Sequence, residues 1–158
     1  MKKLKLFLIA ICITSITHAE ISSDVISDNG TTKIKPILLE ERFMNGIDLT
    51  LGDPSEFDDE LSGDPSELDD ELSFRAHNYY SDKIEVSVYE SGPGEVYIEN
   101  LPYDEYIYIL EGKLILILDE GDEYEFNQGD SLIVPRGFKG TWKMPVKYRE
   151  LIVINTDY

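Results

Sequence analysis

Cysteine is nearly missing from this chain: one residue, Cys12, among 158. It lies in MKKLKLFLIAICITSITHA, where three lysines, an uncharged run from Leu6 to Ile13 and small residues at Thr17 and Ala19 have the layout of a secretory signal peptide over 1–19. That run falls far short of the roughly 20 apolar residues of a spanning helix. The pattern therefore predicts cleavage after Ala19 and export, periplasmic or secreted. The mature chain then holds no cysteine, which excludes disulfides and leaves the hydrophobic core to stabilise it. Histidine is almost as scarce, since His18 leaves with the leader and only His77 remains.

Basic residues are also few, 14 against 32 acids, for a net charge of −18. Loss of Lys2, Lys3 and Lys5 takes the balance to 11 against 32, or −21. So acidic a chain is repelled by phosphate backbones and anionic headgroups, which argues against nucleic acid as a partner, and against membranes once the leader is gone. The remaining 139 residues, 158 less 19, suit one domain.

What is present begins with an N-terminal arm over 20–50. Its first part is polar; KIKPILLEERFMNGIDLT (33–50) has enough apolar side chains to dock on a domain, with Pro36 restricting it to an edge. A tandem repeat occupies 51–73: GDPSEFDDELS and then GDPSELDDELS, differing only at Phe57 and Leu68. In each copy an Asp, a following proline and a Glu three residues after the Asp form a capping box, predicting two short helical turns. The repeat carries ten acids and no base. It lacks the ligand alternation and central glycine of a calcium loop, so we read it as a solvated, duplicated linker or insertion.

From 74 to 158 the pattern is all-β. KIEVSVYE and EVYIEN alternate apolar with polar residues, and YIYILEG, KLILIL, EYEF, SLIVP, GTWKM and YRELIVI follow between turn residues. Short strands spaced about ten residues apart predict a sandwich or small barrel.

The turn spacing is more specific. Gly129 and Asp130, then Pro135, then Gly137, together with Glu105 seven residues before Gly112, resemble the two signatures of cupins. With GFKGTW and YRELIVI, residues 79–154 are most similar to the ureidoglycine aminohydrolase-like and ethanolamine-utilisation-type cupins. The resemblance implies a single jelly-roll-like cupin β-barrel, with homodimers through edge strands a further expectation. Metal-binding members place three histidines and a glutamate around one ion. Here the early histidine positions fall on Glu99 and Leu101, or on Ile98 and Asn100 with the longer spacing, and the later histidine position on Gly140, with the later polar position on Met144. Only Glu105 remains, so the resemblance implies no transition-metal cofactor and at most weak holding of a hard divalent cation by Glu99 and Glu105 with waters.

If Glu105 points inward, as the resemblance implies, alternation assigns a ligand-binding pocket to Tyr97, Glu99, Glu105, Trp142 and Met144, with Arg149 near the rim or beneath it. Two carboxylates in an apolar barrel push at least one pKa upward, making Glu105 the candidate catalytic acid or base, and a tyrosine beside it could donate to an oxyanion. In the bland reading Glu105 bonds backbone amides and Trp142 is core. Lys143 and Glu150 are expected opposite each other across a hairpin. The function expected is binding of a small organic molecule, with lyase or aminohydrolase-type carboxylate chemistry; its rival is a non-catalytic scaffold or interaction module.

Overall fold

The computed structural model describes residues 35–52 and 74–155. The leader, the start of the arm and nearly all of the acidic repeat lie outside them. After a short helix, α1 (Glu41–Met44), ten strands follow among the described residues: β1 (Thr50–Leu51), β2 (Phe74–Ser81), β3 (Ile84–Ser91), β4 (Gly94–Ile98), β5 (Glu105–Glu111), β6 (Lys113–Leu118), β7 (Glu123–Asn127), β8 (Ser131–Val134), β9 (Gly140–Met144) and β10 (Tyr148–Asn155). All pairs are antiparallel. They make a six-stranded sheet in the order β1-β2-β3-β10-β5-β8 and a four-stranded sheet in the order β4-β9-β6-β7. The fold is therefore the all-β, jelly-roll-like architecture of a cupin. Gly112 and Gly129 turn the chain with φ of 85° and 91°, as their places in the pattern required.

Between the sheets lies the main core. Tyr89, Ile107, Ile109, Tyr148, Ile152 and Ile154 come from the larger sheet, and Val96, Ile98, Leu114, Leu116, Trp142 and Met144 from the smaller. A second cluster sits outside the larger sheet, where Leu39, Phe43, Met44 and Leu49 of the arm pack on Tyr79, Val86, Val88, Leu110 and Leu151. This explains β3: its apolar alternation at Val86 and Val88 faces the arm, while Ser87, Tyr89 and Ser91 face the barrel interior. The arm is tied down by Tyr79 Oη donating to the carbonyl of Glu40 at 2.8 Å and by Phe43 stacking on His77 at 3.4 Å between ring centroids. His77 is thereby placed outside the barrel.

The expected pairing of Lys143 with Glu150 does not form. The chain changes sheets across Pro145–Lys147, so Lys143 lies opposite Glu95 and Ile115, and Glu150 opposite Tyr89 and Ile109.

Candidate functional site: two acids inside the barrel

Glu105 opens β5 with its side chain on the face shared by Ile107 and Ile109, all three wholly buried. Its Cα neighbours across the sheet are Ile154 and Val134. The chain leading into it inserts Leu101 and Tyr103 into the same core. That segment is clasped to the next loop by Leu101 N–H to Phe138 O at 3.0 Å, Gly137 N–H to Leu101 O at 2.7 Å and Arg136 N–H to Asp104 Oδ1 at 3.0 Å. Neither oxygen of Glu105 has a hydrogen-bond partner, so the backbone-amide role is not what it does. Burial holds its carboxyl well above the usual carboxylate range, and the charge of Glu150 adds to the rise.

Glu150 is the residue that sequence reasoning missed. It is also fully buried, on the interior face of β10. One oxygen accepts from Tyr148 Oη at 2.5 Å and the other has no partner. Burial pushes its pKa up to about 8, with the Tyr148 bond offsetting part of the rise. The phenols of Tyr148 and Tyr89 are raised by burial and then by Glu150, so both keep their protons. The signal was available in YRELIVI, since Tyr148, Glu150, Ile152 and Ile154 share a face at period two.

Trp142 and Met144 point inward as expected of their strand, at 0% and 2% exposure. Trp142 Nε1–H has no acceptor, and Phe138 meets the indole edge-on at 6.2 Å. Met144 sulfur accepts from Ser91 Oγ at 3.3 Å.

Three other expected positions are corrected. Val96 and Ile98 are the buried residues of β4, so Tyr97 lies on the opposite, outer face and its hydroxyl donates to Asp119 at 3.0 Å. Glu99, just beyond the strand, is exposed, and cannot share a cation with wholly buried Glu105. Arg149 is buried, but it faces outward, bonding Glu90 at 3.1 Å and also Glu111. It is the one buried cation among the described residues, so no positive charge faces the interior.

The donors do not fit a cupin metal. Of the early ligand positions, Ile98 and Leu101 are buried apolar residues and Glu99 and Asn100 are exposed. A Cβ at Gly140, which has φ +156°, would lie 2.3 Å from the carbonyl oxygen of Ile117, so strand β6 occupies the place of a side chain there. No group of three or more potential metal-ligating acids, cysteines or histidines occurs among the described residues.

Two antiparallel sheets joined by glycine-bearing turns, with an inward glutamate seven residues before Gly112, give this part of the chain a cupin-like fold. Residues 81–150 match the family model described as the EutQ-like cupin domain. Among solved structures, the EutQ protein of Clostridium difficile is similar with a TM-score of 0.55 and 19% identity, covering 88% of this chain and 100% of that one. A protein of unknown function from the DUF861 family of Pseudomonas syringae pv. tomato gives a TM-score of 0.53 and 23% identity, over 67% of this chain and 43% of that one. At these identities the likeness is one of fold. No curated protein matches the sequence.

Proposed function

We propose that this is an exported cupin-domain protein that binds a small organic molecule inside its barrel, with Glu105 as the group that engages it. The observation that carries the reading is a wholly buried glutamate, inside the core, with neither oxygen bonded. Burial and the nearby Glu150 raise the pKa of that carboxyl, which favours its protonated form, and as an acid it can donate a proton to a bound leaving group or carbonyl. Glu150, with Tyr148 bonded to it, stands as a second acid–base group on the neighbouring strand. The resemblance to ureidoglycine aminohydrolase-like cupins supports lyase or aminohydrolase-type chemistry as the reaction class, run by carboxyl groups without a metal. Access requires the clasped 99–104 segment to open, because Glu105 has no exposure in the closed form.

Thermal-shift screening of the mature protein with ureides, amino acids, small acids and sugars tests this, since a ligand of the folded state raises its stability. A hit that vanishes in Glu105→Gln supports the reading. Hits unaffected by Glu105→Gln, or none at all, return the barrel to its rival role as a non-catalytic scaffold or interaction module.

A further inference from the structure

Among the described residues four strands end the two sheets: β1 and β8 in the larger, β4 and β7 in the smaller. An open edge is a template for a further strand, and proteins blunt such edges with shortness, charge or proline. Three of these edges are guarded in that way. β1 has two residues, β4 follows Pro93 and carries exposed Glu95, and β7 carries exposed Glu123 and Glu125. β8, with the sequence SLIV, holds neither charge nor proline, and its Ile133 is 67% exposed. Tyr106, the Cα partner of Ile133, and Tyr108 extend the same outer face at 40% and 37% exposure, outside the cluster that the arm covers.

The backbone of β8 is set for pairing. Ile109 N–H donates to Asp130 O at 3.0 Å and Gly129 N–H donates to Ile109 O at 2.9 Å, so Ile109 turns its backbone groups toward β8. Every second residue of a strand does likewise, which directs Ile107 and Glu105 at their partners Leu132 and Val134. Ser131 and Ile133 therefore point their N–H and C=O groups to the open side. The two ends of the strand differ in charge: Asp130 stands just before it and Arg136 just past its end.

We propose that β8 pairs antiparallel with β8 of a second copy, about a twofold axis at Leu132, joining the two larger sheets into one. In this register Ser131 lies opposite Ile133 of the second copy and exchanges both backbone bonds with it. By symmetry the pair occurs twice, which uses every outward N–H and C=O of Ser131 and Ile133. A second copy is the occupant because the edge is complementary to itself. Antiparallel pairing brings Asp130 of each copy toward Arg136 of the other, and the uncharged strip between them lets two chains of net charge −18 meet without setting acid against acid. The contact is small, so the dimer is weak and depends on concentration. Val134, the last residue of β8, is the Cα partner of Glu105, so the pairing braces the strand beside the inner acids.

The test is sedimentation velocity on the mature chain from micromolar to millimolar concentration, at about 0.15 M salt, where long-range repulsion between acidic chains is screened. The wild type should pass from monomer to dimer. Ile133→Pro removes an outward N–H without touching the ladder to β5, and should abolish the dimer while circular dichroism stays that of the folded protein. Ile133→Lys, which guards the edge with charge, keeps the test open should proline disturb the fold, and should raise the dissociation constant about tenfold or more. Leu51→Lys, at a site 65% exposed on the β1 edge, should leave it unchanged. Register is read by disulfide formation, since the mature chain has no cysteine of its own. Ser131→Cys and Ile133→Cys chains should cross-link when mixed, because such paired Cα atoms lie about 5.5 Å apart, within reach of a disulfide. Either chain alone should cross-link more slowly, its symmetry mate being roughly 7–8 Å away. A wild type that stays monomeric throughout, or association that survives both Ile133→Pro and Ile133→Lys, overturns the proposal. An equal loss in Leu51→Lys does so too, by placing the contact at the opposite edge. Self-cross-linking of Ile133→Cys faster than that of the mixture overturns the twofold at Leu132, and with it the proposed pairing.

Discussion

Glu90 and Glu150 sit in the same sheet, on neighbouring strands, on either side of one arginine. Both are buried, at 3% and 0% exposure, yet their pKa values move in opposite directions. Glu90 faces outward beneath the arm. Burial alone would raise its pKa, but bonds from Arg75 and Lys147 outweigh that and lower it, and Arg149 bonds it too. Glu150 faces inward, where its only bonded neighbour is the Tyr148 hydroxyl, and its pKa climbs. Depth of burial does not decide the protonation of a carboxyl here; the presence of a counter-charge does.

The largest expected effect follows from the inner pair. Both inner glutamates have folded-state pKa values above the unfolded value of 4.5, so their contribution to stability is complete below about that pH and is lost as pH rises through the folded value. For Glu150 the window runs from 4.5 to about 8. Each group gives a slope of up to about 1.4 kcal/mol per pH unit within its window. Urea unfolding should therefore show the protein less stable at pH 8 than at pH 5, and the double variant Glu105→Gln/Glu150→Gln should flatten most of the difference. A wild-type profile equally flat would place cations or water beside these acids and erase the contrast between the faces.

Neutralising the outer acid should act in the reverse sense. Glu90→Gln leaves Arg149 buried with only Glu111, and is expected to cost about 2–3 kcal/mol at pH 7. The cost falls below the roughly 3–5 kcal/mol usual for a broken buried pair because Arg75 and Lys147 remain half in water. Glu150→Gln at the same pH should be nearly neutral or stabilising. Equal losses from the two substitutions would contradict the comparison directly.

The inward half of this picture was partly legible in the residues. Glu105 was placed inward by the resemblance of its spacing to Gly112 to the first cupin signature, and Ile107 and Ile109 follow it at the same parity. Alternation alone could not say which face of β4 was inward, and choosing the polar face misplaced Tyr97 and Glu99. Glu150 was hidden by its expected partner: Lys143 and Glu150 read as an exposed cross-strand pair until the chain is seen to change sheets after Met144. Arg149 does form its ion pairs, on the other side of the sheet from Glu150.

A substitution at Gly140 sharpens the contrast from inside. Gly140→Ala places a Cβ against the Ile117 carbonyl at an unfavourable φ, and should cost on the order of 1–3 kcal/mol by chemical denaturation. Gly140→His should be no better tolerated and should recruit no zinc by elemental analysis, because with Ile98 and Leu101 at the early positions only Glu105 could join it, short of the three protein ligands a zinc site needs. Recovery of one zinc per chain would show that the barrel can part its strands to rebuild a metal centre.

The smallest effect belongs to Tyr97, and it bears on where the site ends. Its hydroxyl is tethered to Asp119, which also pairs with Lys139, on the side of the small sheet away from the core. Tyr97→Phe removes one bond between exposed groups, so neither the unfolding midpoint nor any ligand-induced thermal shift should change measurably. The same substitution would be among the most damaging if the polar face of β4 lined the ligand. A lost shift in Tyr97→Phe alongside a retained one in Glu105→Gln would move the binding surface to the outside of the barrel and leave the buried acids a purely structural role.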